Sequence, residues 1–159
     1  MKLGRQKDAV TIAAIEKRRG RNMRQLLLRA SRTVNRHVVE ELHLRGYTKL
    51  RSTHTTLLSN MDLAGSTVTA VADRAGISKQ AMGRLAVELE KAGYIQVQDD
   101  PSDARVRILQ LTKTGKKLML DSFEVMDELE RRYARSIGRG RLGAILRGLE
   151  AFVRETDPE

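Results

Sequence analysis

The sequence predicts a mainly α-helical fold, a winged helix-turn-helix with a small β-hairpin wing and a helical dimerisation base. Three observations predict it. A glycine stands between two amphipathic segments in residues 71–85, at the position of a turn between two helices. Two short alternating segments follow, separated by a polar turn. Apolar residues then recur at helical spacing near both ends of the chain.

The helix-turn-helix is predicted from the spacing of three residues. Ala72 is small enough for two helices to approach closely, and Gly76, four residues later, can adopt the positive φ that the turn needs. Ser78 is expected to cap the second helix through its hydroxyl. The residues expected to face the shared core are Ile77, Met82 and Leu85. An ordinary helical hairpin is the alternative for this segment taken alone.

The second helix of such a unit lies in the major groove of DNA and presents its N-terminal residues to base edges. The first helix is expected to start near Gly65, with Ser66 or Thr67 as its cap and its backbone N–H groups against a phosphate. Capping without a phosphate contact is the alternative. The candidate DNA-binding residues of this region are Ser66, Thr67, Ser78, Lys79, Gln80 and Arg84.

The wing is predicted from residues 94–98, which alternate as a strand after a helix that ends near Gly93. A polar turn over residues 99–103 reverses the chain. In the second strand Val106 and Ile108 share one face, and Arg105 and Arg107 share the other. The hairpin therefore has a basic side, and both arginines are candidate DNA contacts.

The wing and the helix after it carry a specific motif, which consists of Asp103, Ala104 and Arg105, then residues 109–112 and Gly115. In order and spacing it is similar to the aspartate-x-arginine wing and the leucine-threonine-x-x-glycine helix start of the MarR family of bacterial and archaeal regulators. The resemblance runs from about residue 46 to the C-terminus. It implies that Arg105 enters the minor groove and that Asp103 orients it, since a narrow minor groove attracts a guanidinium. A surface ion pair between the two is the alternative.

Three further segments carry apolar residues at helical spacing. These stripes are Met23, Leu27, Ala30, Val34, Val38 and Leu42; Met119, Phe123, Met126, Leu129 or Glu130, Tyr133 and Ile137; and Leu142, Ile145, Leu146, Leu149, Phe152 and Val153. In the MarR family the first and the last two helices form a dimer base, which the resemblance implies here; an intrachain bundle is the alternative. The segment Tyr47–Met61 resembles the family's second helix. We therefore expect a basic arm at 1–20, a helical dimerisation region at 21–45 and 113–157, and a winged helix-turn-helix DNA-binding domain at 46–112.

The charge is unevenly distributed along the 159 residues, which contain 30 Lys or Arg and 20 Asp or Glu. Residues 1–36 have eleven basic and two acidic side chains, whereas residues 61–112 have six basic and seven acidic ones. A net charge of +10 favours a polyanionic partner. The arm is therefore expected to contact phosphates, with a solvated tail as the alternative.

The small-molecule sites are less sharply predicted. The resemblance implies a crevice for an aromatic effector, for which His37, Tyr47 and His54 are candidates; packed or exposed histidines are the alternative. The three histidines have no carboxylate or thiol at a ligand spacing, so neither a metal nor a cofactor is expected. The chain has no cysteine, which excludes disulfides and thiol-based sensing.

The function expected from these observations is a cytoplasmic, homodimeric repressor of MarR type that reads a palindromic operator in duplex DNA and is released by a small ligand. Enzymes are disfavoured, because neither a phosphate-binding glycine loop nor a nucleophile motif occurs. No apolar run is long enough to span a membrane. The alternative is a basic nucleoid-associated or RNA-binding protein without sequence-specific reading.

Overall fold

The structure, a computed structural model, describes residues 12, 14–16, 19, 22–100 and 106–156. The chain divides into two compact units between His37 and Val38, within the first helix. The helices are α1 (Met23–Leu44), α2 (Thr55–Leu58), α3 (Val68–Ala75), α4 (Lys79–Ala92), α5 (Lys113–Ile137) and α6 (Arg139–Thr156), and the strands are β1 (Ser66–Thr67), β2 (Ile95–Asp99) and β3 (Arg107–Leu111). The predicted fold class, mainly helical with a winged helix-turn-helix, is confirmed.

The helix-turn-helix forms where the sequence predicts it. Helix α3 ends at Gly76, whose φ of 63° is left-handed, and α4 begins after Ser78, whose side chain accepts a hydrogen bond from the Ala81 N–H at 3.2 Å. Met82 is fully buried, and Ile77 and Leu85 pack against the core. The turn residues act locally, which is why spacing alone could identify them.

The wing is part of a three-stranded antiparallel sheet in the order β1-β3-β2. The hairpin pairs Val97 with Leu109, and β1 adds the pairs Ser66–Leu109 and Thr67–Ile108. The sequence did not predict β1, because two residues are too few to show an alternating pattern. This short strand attaches the start of α3 directly to the wing.

The expected helix over Tyr47–Met61 is wrong in its extent, since only the four residues of α2 are helical. Hydroxyl groups in this segment bind nearby carbonyl groups: Thr55 donates to the Ser52 oxygen at 2.7 Å and Ser59 to the Thr55 oxygen at 2.6 Å. Such local bonds compete with a continuous helix. The apolar residues on which the prediction rested are nevertheless all buried, namely Leu50, Leu57, Leu58 and Met61.

The stripe predicted on α5 is also corrected. Leu118, Val125 and Leu129 are the buried residues of its apolar face, and Phe123 is exposed. The predicted residues Met119, Met126 and Tyr133 flank the core and are partly buried. The apolar residues of α5 thus cover more than one face, and packing rather than spacing selects the buried one.

Thr112 and Gly115 fix the start of α5 against the end of α4. The Thr112 hydroxyl donates to the Gly93 carbonyl at 2.7 Å and accepts from the Gly115 N–H at 3.0 Å. Gly115 has no room for a side chain, because a Cβ there would lie 2.9 Å from the Tyr94 carbonyl carbon and overlap its oxygen. This close approach gives the leucine-threonine-x-x-glycine motif a structural reason.

Candidate nucleic-acid interface

The first two turns of α4 expose the side chains that the sequence predicts to read bases. Lys79, Gln80 and Arg84 are all exposed, and Gln80 and Arg84 are four residues apart, on one face of the helix. The opposite face holds Met82 and Leu89, which are fully buried. The helix can therefore enter a groove without uncovering the core, and Ser78 acts as its cap.

A groove of about 500 Å³ lies beside this helix. It is lined by residues from three elements and the chain just before them: Thr67, Val68, Thr69, Lys79, Gly83, Val106 and Arg107. Lys79 and Arg107 contribute cations from α4 and β3, and the N-terminus of α3 faces the same space. Positive charges together with a helix N-terminus form an environment that favours a phosphate.

Thr67 and Ser66, the two predicted caps of α3, have different roles. Thr67 is the cap, since its side chain accepts from the Ala70 N–H at 3.1 Å. Ser66 is only 4% exposed, and its hydroxyl donates to Asp62 Oδ2 at 2.9 Å and accepts from Arg74 at 3.0 Å. The Ser66 hydroxyl is thus already bound within the protein.

The Ser66 hydroxyl belongs to an ion pair that holds α3 to the preceding loop. Both terminal nitrogens of Arg74 donate to the Asp62 carboxylate, at 2.6 and 2.9 Å. These hydrogen bonds, with a further one from Ser66, lower the pKa of Asp62 to about 2. The sequence gives no sign of this pair, because twelve residues separate its members and no local pattern relates them.

The predicted minor-groove residues Asp103 and Arg105 lie outside the described residues. Arg107 is exposed at the start of β3, where it is paired in register with Asp99, and its Nε lies 4.0 Å from the Asp99 carboxylate. An exposed pair at this distance contributes little to stability, so Arg107 can exchange the carboxylate for a phosphate.

His54 connects the loop before α2 to the recognition helix. It is 2% exposed, its Nδ1 accepts from the Arg51 N–H at 3.2 Å, and its Nε2 lies 3.0 Å from Glu88 Oε2 on α4. The hydrogen bond from His54 is the main cause that lowers the pKa of Glu88. A cavity of about 560 Å³ lies beside the pair and also contains His43 and Lys91 in its lining.

Tyr47 lines a second cavity, of about 540 Å³. Cations from three segments surround it (Arg45, Lys49, Lys113 and Lys117), together with the ring of Tyr94. The Tyr47 hydroxyl donates to Asp121 at 2.6 Å, and burial is the main cause that raises the pKa of Tyr47. Hydrogen bonds from Lys117 and Tyr47 lower the pKa of Asp121.

The three candidate effector residues therefore do not form one cluster. Tyr47 and His54 line different cavities, and His37 belongs to the other compact unit. Within the described ranges no group of three or more histidines and carboxylates could hold a metal ion. None of the helices described is long and apolar enough to cross a bilayer.

Helix α6 leaves its apolar face uncovered. None of its residues is buried, and Ile145 and Val153 are 51% and 55% exposed. The other large apolar side chains exposed on this helix are Leu146, Leu149 and Phe152.

The sequence model of the MarR family matches residues 49–106, a range that contains the helix-turn-helix and β2. No curated protein matches the chain significantly. The match confirms the resemblance predicted from the sequence. Its family consists of transcription regulators, which agrees with the expectation that the chain is not an enzyme.

Solved structures share the fold. CouR from Rhodococcus jostii RHA1 bound to p-coumaroyl-CoA is 23% identical, with a TM-score of 0.65 over 88% of this chain and 95% of that one. CouR bound to a 23-mer DNA duplex is 22% identical, with a TM-score of 0.61 over 84% and 93%. A MarR family regulator from Rhodococcus sp. RHA1 is 24% identical, with a TM-score of 0.63 over 83% and 92%. At these identities the likeness establishes the fold alone.

Proposed function

We propose that this chain, which resembles the MarR family over residues 49–106, is a cytoplasmic, sequence-specific regulator of transcription that binds duplex DNA. The observation that carries the proposal is the exposed face of α4. Lys79, Gln80 and Arg84 project from the start of a helix whose other side is buried, beside a groove that also contains Arg107. This arrangement suits a helix inserted into the major groove with flanking phosphate contacts.

The protein acts as a homodimer whose two reading heads recognise a palindromic operator. The uncovered apolar face of α6 supports this proposal, because a twofold axis lets the same patch on two copies cover itself. Exposed apolar side chains on one helix are unfavourable in water, and a second copy removes them from it. A homodimer bound across a promoter represses by excluding other proteins from it.

A small ligand in the Tyr47 cavity relieves repression. The cavity combines two tyrosine rings with lysines and an arginine, so its chemistry suits an aromatic anion. Lys113 and Lys117, which line it, belong to the first turns of α5, and Thr112 joins that helix to the wing strands. A ligand that moves the start of α5 would therefore also move the wing.

Selection of bound sequences from random duplex DNA tests the reading of bases. An inverted repeat is expected, since two identical heads related by a twofold axis read the same half-site. Arg84→Ala should then weaken operator binding tenfold or more, because a good bidentate contact discriminates by about 1 to 3 kcal/mol. Lys91→Ala, which removes the same charge from the last turn of α4, should change operator binding less than twofold.

The contrary outcomes are distinct. Recovery of no preferred sequence, or an equal loss on operator and random duplex in Arg84→Ala, would contradict sequence-specific reading and favour a nucleoid-associated or RNA-binding protein.

Sedimentation of Leu146→Asp/Leu149→Asp tests the dimer, since two buried charges would cost several kcal/mol at the proposed interface. The double variant should become monomeric or unfold. Ala144→Asp, an exposed change outside the apolar face of the same helix, should leave a dimer. A folded, dimeric double variant would place the interface elsewhere.

A further inference from the structure

Charge is segregated along the hairpin that α5 and α6 form. Five carboxylates occur between residues 121 and 130, whereas residues 131–149 contain six arginines and neither Asp nor Glu. A single residue, Gly138, separates the two helices, so the end of α5 and the start of α6 are adjacent. The arginines therefore concentrate at one corner of the fold.

Four of these side chains, which we name the arginine corner, have no carboxylate partner among the residues described. They are all exposed: Arg131, Arg135, Arg139 and Arg141. Arg132, by contrast, donates to Glu41 at 2.9 Å. The corner is thus a surface of unneutralised guanidinium groups rather than a network of ion pairs.

The placement of these arginines works against the stability of their own helices. Arg131 and Arg135 are four residues apart on α5, where like charges repel. Arg139 and Arg141 lie in the first turn of α6, which has no acidic residue and where the helix dipole disfavours cations. Residues that oppose local stability without compensation are typical of functional sites.

The corner is remote from the reading head. Helix α5 starts where Thr112 binds the end of α4, and its 25 residues extend about 37 Å to the corner. A single straight duplex held by α4 would therefore not be expected to reach it. The arginines also lie outside the six apolar positions of α6 assigned to the dimer.

From this geometry we propose that the arginine corner binds the phosphate backbone of a second segment of duplex DNA. Guanidinium groups match phosphate oxygens by paired hydrogen bonds, and a patch with no acidic residue complements a uniform line of negative charge. The corner reads no bases, since it presents arginines without a helix positioned to enter a groove. The full protein can then hold two duplex segments at once.

Co-capture of two duplexes tests the proposal with the full-length chain. A biotinylated random-sequence duplex is loaded with protein, and a fluorescent duplex of another sequence is added at about 50 mM salt, where phosphate binding is strong. Arg139→Gln/Arg141→Gln should capture at least fivefold less fluorescent duplex per loaded protein. The salt slope of that capture should fall by up to about 1.8, or about 0.9 for each phosphate that an arginine no longer neutralises.

The matched control is Arg147→Gln/Arg154→Gln, which removes the same charge from the same helix and should change capture less than twofold. Circular dichroism verifies that each variant is folded. Failure of the wild-type protein to capture a second duplex, or equal losses in both variants, would overturn the proposal. Preferential capture of labelled polyglutamate would also overturn it and identify an acidic polypeptide as the partner. Arg84→Ala separates this proposal from base reading, because it should lose operator preference and keep co-capture.

Discussion

Gly115→Ala should destabilise the protein, although alanine is the better helix former. At this position in the first turn of α5, an added Cβ would overlap the carbonyl oxygen of Tyr94 and lie 2.9 Å from its carbonyl carbon. The obstacle is backbone, which cannot rotate away as a side chain can. Either α5 or the chain that leads into β2 has to move.

The size of the effect follows from two opposing terms. Overpacking costs up to about 3 kcal/mol when the obstacle cannot yield. The gain in helix propensity offsets about 1 kcal/mol of this. The net loss is about 2 kcal/mol, which for a chain of this length lowers Tm by about 4 to 8 °C.

Thermal unfolding followed by circular dichroism measures this change at a fixed protein concentration, since dimerisation would make Tm concentration-dependent. The matched control is Gly148→Ala on α6, where a Cβ meets nothing within 4 Å. That variant should gain up to about 1 kcal/mol from helix propensity. A Gly115→Ala protein that unfolds at or above the wild-type temperature would refute the close approach of Tyr94.

Three further predictions concern DNA binding and pH. Arg105→Ala should cut operator affinity strongly, and Arg105→Lys should restore it only in part, because an ammonium is more heavily hydrated than a guanidinium; full affinity in the lysine variant, measured by titration, would leave a simple phosphate contact. Deletion of residues 1–20 removes a net charge of +4 per chain, and the salt slope of binding should fall by several units on every sequence at about 0.9 per phosphate; an unchanged slope would indicate a solvated tail. The folded pKa of Asp62, about 2, lies below its usual 3.8, so its contribution to stability is present above about pH 4 and is lost as the pH falls toward 2. Asp62→Asn should flatten that part of the profile in acid unfolding, and an unaltered profile would argue against the bond to Arg74.

The sequence by itself determined the helix-turn-helix. Gly76 and Gly93 end their helices with positive φ, and Ser78 and Thr112 cap the next ones. Each of these interactions connects residues no more than five apart, so the chemistry that drives them is visible in a short stretch of sequence. The roles of Asp103 and Arg105, which rest on the resemblance, remain predictions.

Tertiary packing decided what spacing could not. The segment Tyr47–Met61 has buried apolar residues but only a short helix, because its hydroxyls bind local carbonyls. More than one face of α5 carries apolar residues, and the packed core selects the one with Leu118.

The candidate site itself depends on contacts between distant residues. Lys79 and Arg107 line one groove although 28 residues separate them, and Ser66 is withdrawn from solvent by Arg74. His54 and Glu88 meet across 34 residues. Local geometry follows from each residue's own φ and hydrogen-bonding groups, whereas these contacts arise only when burial of the shared core brings separate elements together.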